Sequence, residues 1–418
     1  MFKVLGNAWK IPELRKKIIF TLVILLIYRL GCVIPVPGIN AAYIAEQVTQ
    51  YNFLGFINLF TGGGLSNMSI FALGVMPYIN ASIIINLLTV AIPALERLAK
   101  EEDGQEKINK ITRYSAVGLG LIQAVGILVG FGNEAVESTD LFNYITIVLC
   151  LTAGTSLVMW LGEQINSKGI GNGISIIIFI GIVANLPVEL LAMITNIVNG
   201  NTSIWSLVLL IVVALIIITA LTFVDMGERR IPVQYAKRVV GRKQYGGQAS
   251  YIPMKVNSSG VLPLIFATTF LQIPGMIAQF VPESDYALWV NKYMASGSVL
   301  FAVILALLIM FFTYFYSQIA FNPIEVSKNI QQYGGFIPGI RPGRPTSDYL
   351  SKILSKITLF GAIFLALVAA VPSLFSTISG MNSALGATSL LILVSVSLET
   401  SRSIESQMMT RHYKGFLK

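Results

Sequence analysis

Long apolar runs alternate with polar or charged connections along most of the chain. Each run holds roughly 20 mostly apolar residues, enough for a helix to cross about 30 Å of hydrocarbon. Backbone amides cannot face lipid without a partner, so we expect each run to be helical. The pattern predicts an all-α polytopic membrane protein with ten transmembrane helices, at 18–37, 69–92, 115–132, 142–162, 173–190, 206–224, 259–282, 297–318, 356–373 and 383–399.

Composition and charge agree with this class. Hydrophobic residues make up 55% of the chain and charged residues only 12%, whereas soluble domains carry about a quarter charged residues. All but two of the 29 lysines and arginines lie before the first span, after an even-numbered span, or in the tail. The exceptions are Arg29 and Lys292. The positive-inside rule therefore predicts that both termini are cytoplasmic.

Two of these basic connections, 225–258 and 319–355, are far longer than a turn between adjacent helices requires. Both mix Arg and Lys with Tyr, Gly and Pro, which suits docking to RNA phosphate or to an acidic protein surface. Topology alone explains much of the charge, but we favour docking. The candidate docking residues are Arg238, Arg242, Lys243, Arg341 and Arg344.

The spans lack the ionisable groups that ion-coupled transporters and pumps usually carry at mid-membrane. The acidic residues lie in connections or near span ends, with Glu163 and Glu399 at the borders. Arg29 is the one clear charge inside a span. We expect its guanidinium to bond helix-end carbonyls rather than a substrate.

Metal and hydrolytic chemistry find little support in the sequence. Cys32 and Cys150 fall within predicted spans, and the only histidine, His412, lies in the tail. A disulfide framework, a thiolate metal site and histidine-rich catalysis are therefore not expected. Walker loops, nucleophile elbows and HExxH motifs are also missing, so we predict no enzyme activity, no metal and no cofactor.

Polar residues inside span 2 form a stripe. At 100° per residue, five positions fall within about 80° of one another, apolar near mid-span and polar toward the cytoplasm. The stripe predicts a cavity that is wet on the cytoplasmic side and closed by an apolar waist. Gly74 and Pro77 are expected to bend the helix around it, although ordinary packing with Asn as interhelical glue explains span 2 equally well. The stripe residues are Val75, Ile79, Ser82, Asn86 and Thr89.

Span 7 favours the cavity. A second stripe runs along it, and Pro263 and Pro274 are expected to break the helix. Gln123 in span 3 supplies another intramembrane amide. Broken, amide-bearing spans with apolar waists predict an hourglass pore whose constriction stops water and ions by dewetting. The residues of this stripe are Val261, Ile265, Thr268, Thr269 and Gln272.

The segment 55–67, GFINLFTGGGLSN, is uncharged and too short to cross the membrane. Its three consecutive glycines predict a hinge. Two interpretations remain open: an interfacial helix on the outer surface, or a mobile stopper that enters the outer mouth of the pore. The residues alone favour the interfacial helix.

Several ordered motifs together resemble the SecY family of bacterial protein-conducting channels over essentially the whole chain. The one small departure is GATSLLI near span 10, where the family usually has GGTSLLI. The matching stretches are IPVPGIN (34–40), GVMPYINASIIINLLT (74–89), WLGEQI (160–165), GIGNGISI (169–176), RRIPVQYAKR (229–238), KVNSSGVLP (255–263), FNPIEVSKNI (321–330) and GGFIPGIRPG (334–343).

The resemblance implies two five-helix halves, 1–200 and 201–418, related by a pseudo-two-fold axis in the membrane plane around a central hourglass pore. It implies an aliphatic pore ring and makes the segment 55–67 a plug, against the preference of its residues alone. The pore ring would consist of Val75, Ile79, Ile178, Ile265 and Ile392, with Ile83 and Ile174 as further candidates. The plug residues would be Phe56, Ile57, Leu59, Phe60, Gly62, Gly63 and Gly64.

The resemblance also implies a lateral gate between spans 2 and 7, through which hydrophobic signal segments reach membrane lipid. The two long basic loops would bind the ribosome or the SecA motor ATPase, and SecE and SecG would be companion subunits in the bacterial plasma membrane. We expect some gate residues to bond across the seam. They are Ser82, Asn86, Gln123, Thr268, Thr269 and Gln272.

The leading hypothesis is a passive channel for unfolded secretory polypeptides, driven by its partners. A secondary transporter of a small solute is the main alternative, and it predicts saturable uptake by the protein alone. A purely structural membrane scaffold would not need wet, amide-bearing stripes.

Overall fold

Helices make up most of the computed structural model, which describes residues 6, 8–50, 52–200, 203–235, 238–240, 243–245, 249–257, 260–281, 284–294, 298–379 and 387–414. A short 3-10 turn follows the sixth helix at Asn133–Ala135. In chain order the helices are α1 (Pro12–Gly31), α2 (Ala41–Gln50), α3 (Asn52–Phe60), α4 (Met76–Ala91), α5 (Pro93–Ala99), α6 (Gly104–Phe131), α7 (Leu141–Lys168), α8 (Gly173–Val198), α9 (Ile204–Asp225), α10 (Leu262–Gln279), α11 (Asp285–Tyr293), α12 (Val299–Ala320), α13 (Pro323–Gln332), α14 (Arg344–Ser379) and α15 (Ala387–Lys414).

Each predicted span coincides with a described helix: α1, α4, α6 to α10, α12, α14 and α15. Of the described helices, five are long and apolar enough to cross a bilayer on their own. The pair α4 and α5 meets the same criterion together, although the two helices are bent by 104° at their junction. The prediction of a polytopic helical membrane protein is therefore confirmed. The five long segments are Gly104–Phe131, Leu141–Lys168, Gly173–Val198, Val299–Gln332 and Arg344–Ala370.

One large apolar cluster lies at the centre of the molecule and takes buried side chains from nine of these ten helices; α6 contributes none. A second cluster lies beside it, where α2 and α3 pack on α6 and α7. Outward-facing positions of the same helices carry exposed aliphatic side chains, such as Leu149 and Leu215. Apolar residues inside and outside are expected of helices that are surrounded by lipid.

The connections 225–258 and 319–355, expected to be loops, fold together. Their strands are β1 (Glu228–Tyr235), β2 (Arg238–Val240), β3 (Lys243–Tyr245), β4 (Ala249–Lys255) and β5 (Gly335–Phe336). β1 pairs antiparallel with both β4 and β5, in the order β4-β1-β5. Ile231 and Val233 alternate with exposed residues along β1 and pack against Ile330 and Leu350. The connections therefore form one small folded unit with its own core.

Acidic groups near the span ends take part in ion pairs between helices. Glu163 of α7 lies 2.6 Å from the Nε atom of Arg113 in α6. Asp225, at the end of α9, lies 2.9 Å from the guanidinium of Arg402 in α15. These two carboxylates therefore have ion-pair partners on neighbouring helices.

Candidate functional site

The central site is built around two matching helix starts. The stretch GVMPYI (74–79) opens α4, and GVLPLI (260–265) opens α10. In both, the glycine has a positive φ, +54° at Gly74 and +64° at Gly260. The following valine is the N-cap residue, and the proline lies in the first turn. Proline is favoured there because its missing N–H would have no helical partner.

This arrangement corrects two expectations. Pro77 and Pro263 do not bend or break a helix; each helix begins there. Span 2, predicted from residue 69, is helical only from Met76, and a series of turns precedes it. Pro274 does lie inside α10. Both helices therefore start among buried apolar side chains of one cluster.

The five residues predicted for the pore ring lie in one buried cluster. They come from α4 with its N-cap, α8, α10 and α15, and each side chain is at most 3% exposed. Ile83 belongs to the same cluster, and Ile174 packs against it. The structure thus brings together aliphatic side chains from helices that are far apart in sequence. The five are Val75, Ile79, Ile178, Ile265 and Ile392.

The segment around α3 reaches this cluster. Leu59 and Phe60 are buried in it, while Ile57 belongs to the neighbouring cluster. An interfacial helix lying on the outer surface is therefore wrong, because its apolar residues are inside the protein. The side chain of Phe56 lies outside the described residues.

Three glycines follow α3. Gly62 and Gly63 have φ angles of +68° and +85°, conformations that side chains rarely adopt. A Cβ on Gly64 would meet the hydroxyl of Ser69 at 3.0 Å. Hydrogen bonds hold these glycines in a turn, and their predicted role as a hinge stays a prediction.

Arg29 bonds to the end of α3. Its Nη1 atom donates to the carbonyl of Gly62 at 2.6 Å. Tyr28 donates its hydroxyl to the carbonyl of Thr61 at 3.3 Å, and Asn185 of α8 donates its amide to that of Leu59 at 3.4 Å. As expected, Arg29 bonds a main-chain carbonyl, but this acceptor lies in the turn that follows α3 and not in the helix itself.

The predicted gate residues lie where α10 contacts α4 and α6. A small cavity of about 30 Å³ separates these helices. The amide of Gln123 and that of Asn80 both reach the sulfur of Met276 at 4.0 Å. The amide of Gln272 is buried and has no hydrogen-bond partner among the described residues. The cavity is lined by Ile57, Leu73, Met76, Gln123, Gly126, Ile127, Gln272, Met276 and Phe280.

The other predicted gate residues bond either within their own helix or to a neighbouring one. Thr268 and Thr269 donate their hydroxyls to the carbonyl of Ile265 in their own helix. Asn86 donates to the hydroxyl of Tyr316 in α12 at 3.1 Å, and its amide lies 3.4 Å from the hydroxyl of Ser82. The bond from Asn86 therefore reaches span 8 rather than span 7, and the bonding of some gate residues across the seam stays a prediction. Sequence reasoning missed Tyr316, whose only signal is a polar hydroxyl near the end of an apolar run.

The structure describes the side chains of only some of the predicted docking residues. The side chains of Arg238 and Lys243, and the whole of Arg242, lie outside the described residues. Arg341 and Arg344 are exposed beside the β4-β1-β5 sheet. The carbonyl of Arg341 accepts a bond from the Thr346 hydroxyl at 2.9 Å, which fixes the backbone.

The surface ion pair that could have explained Arg341 does not occur among the described residues, whose six ion pairs leave its guanidinium out. The same surface carries Arg230, which lies over the ring of Tyr251 at 4.9 Å. Its Nε atom is 2.7 Å from Glu228. Arg341 is thus an exposed cation on a fixed loop.

Known structures with the same architecture cover nearly the whole chain. "The structure of a protein conducting channel" matches with a TM-score of 0.68 and 16% identity, covering 97% of each chain. A structure described as Sec61 in the canine ribosome-channel complex matches with a TM-score of 0.65 and 16% identity, again covering 97% of each. At this identity the likeness shows the fold.

Relatives found by sequence have a higher identity to this chain than these structures do. The protein translocase subunit SecY of Streptomyces galbus is 45% identical over 440 residues and covers all of both chains. The Mycobacterium tuberculosis protein of the same name is 43% identical over 446 residues with equal coverage. The SecY family model matches residues 69–401. This chain therefore belongs to the SecY family of protein translocase subunits.

Proposed function

We propose that this chain is a passive channel through which unfolded secretory polypeptides cross the bacterial plasma membrane. The observation that carries the proposal is the single buried cluster in which five aliphatic residues from four separate helices meet Leu59 and Phe60. An aliphatic constriction excludes water and ions by dewetting, yet deforms around a passing chain because it makes no fixed polar bonds. We assign Val75, Ile79, Ile178, Ile265 and Ile392 to this pore ring.

The segment 55–67 acts as the plug of the closed channel in this proposal. The burial of Leu59 and Phe60 against the ring supports this role. A solved structure that matches this chain with a TM-score of 0.66 and 17% identity is described as showing that the SecY plug domain stabilises the closed channel and maintains a membrane seal. Closure here then has two layers, the ring and the segment beside it.

Hydrophobic segments leave sideways, between α4 and α10. The bond between Asn86 and Tyr316 joins the first half to the second at this seam. Interhelical hydrogen bonds in membranes contribute on the order of 1 kcal/mol, whereas burying one Leu side chain recovers about 1.5–3 kcal/mol. A sufficiently apolar segment can therefore displace such bonds, and a polar one cannot.

Partners supply the energy and dock on the cytoplasmic sheet. Exposed Arg341 and Arg344 beside the β4-β1-β5 sheet support an electropositive surface for ribosomal RNA or for the SecA motor ATPase. SecE and SecG complete the channel, the termini face the cytoplasm, and the halves 1–200 and 201–418 move relative to each other. The ribosome-bound channels among the structural neighbours support this choice of partner.

Site-directed photo-cross-linking to an arrested secretory chain tests the proposal. A photoreactive residue at position 79 should cross-link to the arrested chain. The same residue at Leu149, which is 58% exposed on the outside of α7, should cross-link to lipid only. Equal cross-linking at both positions, or saturable uptake of a small solute by the reconstituted protein alone, would refute the channel and favour a transporter.

A further inference from the structure

The plug segment is held by a charged side chain inside the first transmembrane helix. Arg29 lies in the last turn of α1, and its Nη1 atom is 2.6 Å from the carbonyl oxygen of Gly62. A Cβ on Gly62 would lie 2.6 Å from that nitrogen and 2.9 Å from the Cα of Gly181 in α8. Glycine at position 62 therefore permits both contacts at once.

Two other carbonyls at the same helix end are also bonded. Thr61 is fully buried, and its carbonyl accepts from Tyr28 and lies 3.5 Å from the sulfur of Cys32. Asn185 bonds the carbonyl of Leu59. The last carbonyls of a helix have no partner within it and carry partial negative charge. Donors from α1 and α8 thus add to the main-chain bonds that Leu59 and Thr61 accept from Gly62 and Gly64, and Arg29 supplies the only positive charge among these donors.

Arg29 in turn depends on this contact. Among the described residues it takes part in no ion pair. A guanidinium within a membrane-spanning segment is unfavourable unless it is bonded or reaches water. With the segment in place, both the cation and the carbonyl are satisfied; with the segment displaced, both lose their partner.

We propose that Arg29 is a positioning residue that latches the plug segment in the closed channel. The latch rests on the proposed plug and pore ring, and it adds the group that sets how readily the plug leaves. Opening requires the guanidinium to exchange the carbonyl of Gly62 for water or for a carbonyl of the entering polypeptide. Plug seating then depends on a charge in α1, outside the ring and outside the lateral gate.

A native thiol reports the seating of the segment. Cys32 is 1% exposed, its sulfur lies beside Thr61, and its carbonyl accepts a bond from Asn67 at 3.4 Å. When the segment leaves, this thiol becomes accessible from the outer face. In a Cys150→Ala background of the assembled channel, a membrane-impermeant maleimide should label Cys32 slowly.

The experiment compares Arg29→Met with Arg29→Lys in that background. Arg29→Met should raise the labelling rate at least about tenfold and increase resting ion conductance, since one charge-assisted hydrogen bond shifts an equilibrium by that order. Arg29→Lys should stay near wild type. Removing a nearby positive charge disfavours the reactive thiolate, so faster labelling of Arg29→Met reports exposure and not altered thiol chemistry.

Asn185→Ala provides a second route to the same state. It removes a neutral donor on another helix, so its labelling rate should rise less than that of Arg29→Met. Assembly with the companion subunits identifies any variant that simply misfolds. Equal labelling rates in wild type, Arg29→Met and Asn185→Ala would overturn the latch.

Ile79→Asn separates failure of the latch from failure of the channel. If Ile79→Asn conducts ions and Arg29→Met changes neither labelling nor conductance, the latch is wrong and the channel stands. If Ile79→Asn conducts no better than wild type and position 79 never cross-links to a secretory chain, the proposed function itself fails.

Discussion

The helices α4 and α10 begin with nearly the same six residues, yet the residues around the two starts differ. At GVMPYI, a Cβ on Gly74 would lie 3.1 Å from the methyl group of Thr61, within the segment 55–67. At GVLPLI, a Cβ on Gly260 would lie 3.7 Å from the carboxylate of Glu399 in α15. By the predicted topology, α4 and α10 run in opposite directions across the membrane.

The comparison teaches how a helix can begin inside an apolar core. Neither Val75 nor Val261 provides a side-chain cap. Proline in the first turn removes one donor that would otherwise be unsatisfied, and a left-handed glycine turns the chain just before it. The shared stretch makes the helix start, whereas the neighbours differ: Thr61 of the segment 55–67 at α4 and Glu399 of α15 at α10.

The largest expected effect comes from the ring. Ile79→Asn and Ile265→Asn should each raise resting ion conductance about tenfold or more, because each removes about 1.5–3 kcal/mol of apolar closure. Both should also tolerate defective signal sequences better. Ile79→Leu, which keeps the apolar surface, is the matched control. Single-channel recording in planar bilayers measures the effect, and a rise in only one half would break the equivalence of the two helix starts.

Charge reversals at Arg341 and at Arg97 should differ strongly in their effect on translocation. Arg341→Glu should slow motor-driven translocation at least about tenfold, since like charges at an interface cost several kcal/mol. Arg97→Glu, an equally exposed reversal in the first half, should have little effect. Preprotein transport into vesicles measures both, with assembly as the control. Normal transport by Arg341→Glu would remove it from the docking surface.

Replacing Gly74 and replacing Gly260 should differ moderately in their cost to stability. Gly74→Ala and Gly260→Ala each force a side chain into a left-handed conformation, which costs about 1–2 kcal/mol. Gly74→Ala should be the more destabilising, because the added carbon also meets Thr61 at 3.1 Å while Glu399 is 3.7 Å from Gly260. Thermal unfolding of the purified channel complex measures the difference. Equal losses of thermal stability would show that the contacts with Thr61 and Glu399 do not affect the cost of the substitution.

The smallest effect concerns the seam. Asn86→Leu should raise the hydrophobicity a segment needs for sideways exit, because it replaces a hydrogen bond with apolar closure. Tyr316→Phe should lower that threshold, because it removes the bond of Asn86 to α12 and leaves only the contact with Ser82 in its own helix; each shift should be on the order of 1 kcal/mol. A graded Leu/Ala segment series measures both, and identical thresholds in all three channels would leave Asn86 as ordinary packing.

The sequence predicts the spans and part of the centre well. Ten apolar runs correspond to ten helices, and the stripes alone identified Val75, Ile79 and Ile265, which the structure places together. Ile178 and Ile392 required the family resemblance, because α8 is apolar along most of its length and its few polar residues do not single out Ile178. Their role in a pore ring stays a prediction.

Other features depend on contacts between distant parts of the chain. The bond from Asn86 to Tyr316 joins residues 230 positions apart, and helical periodicity cannot specify such a partner. The sheet pairs Gln234 with Phe336 across two loops that look irregular when each is read separately. Arg29 was predicted in part: the membrane environment explains why it bonds a carbonyl inside the protein, but only the fold identifies that carbonyl as the one of Gly62.

The folded cytoplasmic unit has a mechanical consequence. Strand β4 ends at Lys255 and α10 begins at Leu262, so the connection between them spans at most about 25 Å. The strand end is also tied to α9, through the bond from the Val256 amide to the carbonyl of Gly227 at 3.1 Å and the contact of Asn257 with Asp225 at 3.4 Å. Because this connection is short and its start is held in place, a tilt of the sheet would be transmitted to the first turn of α10.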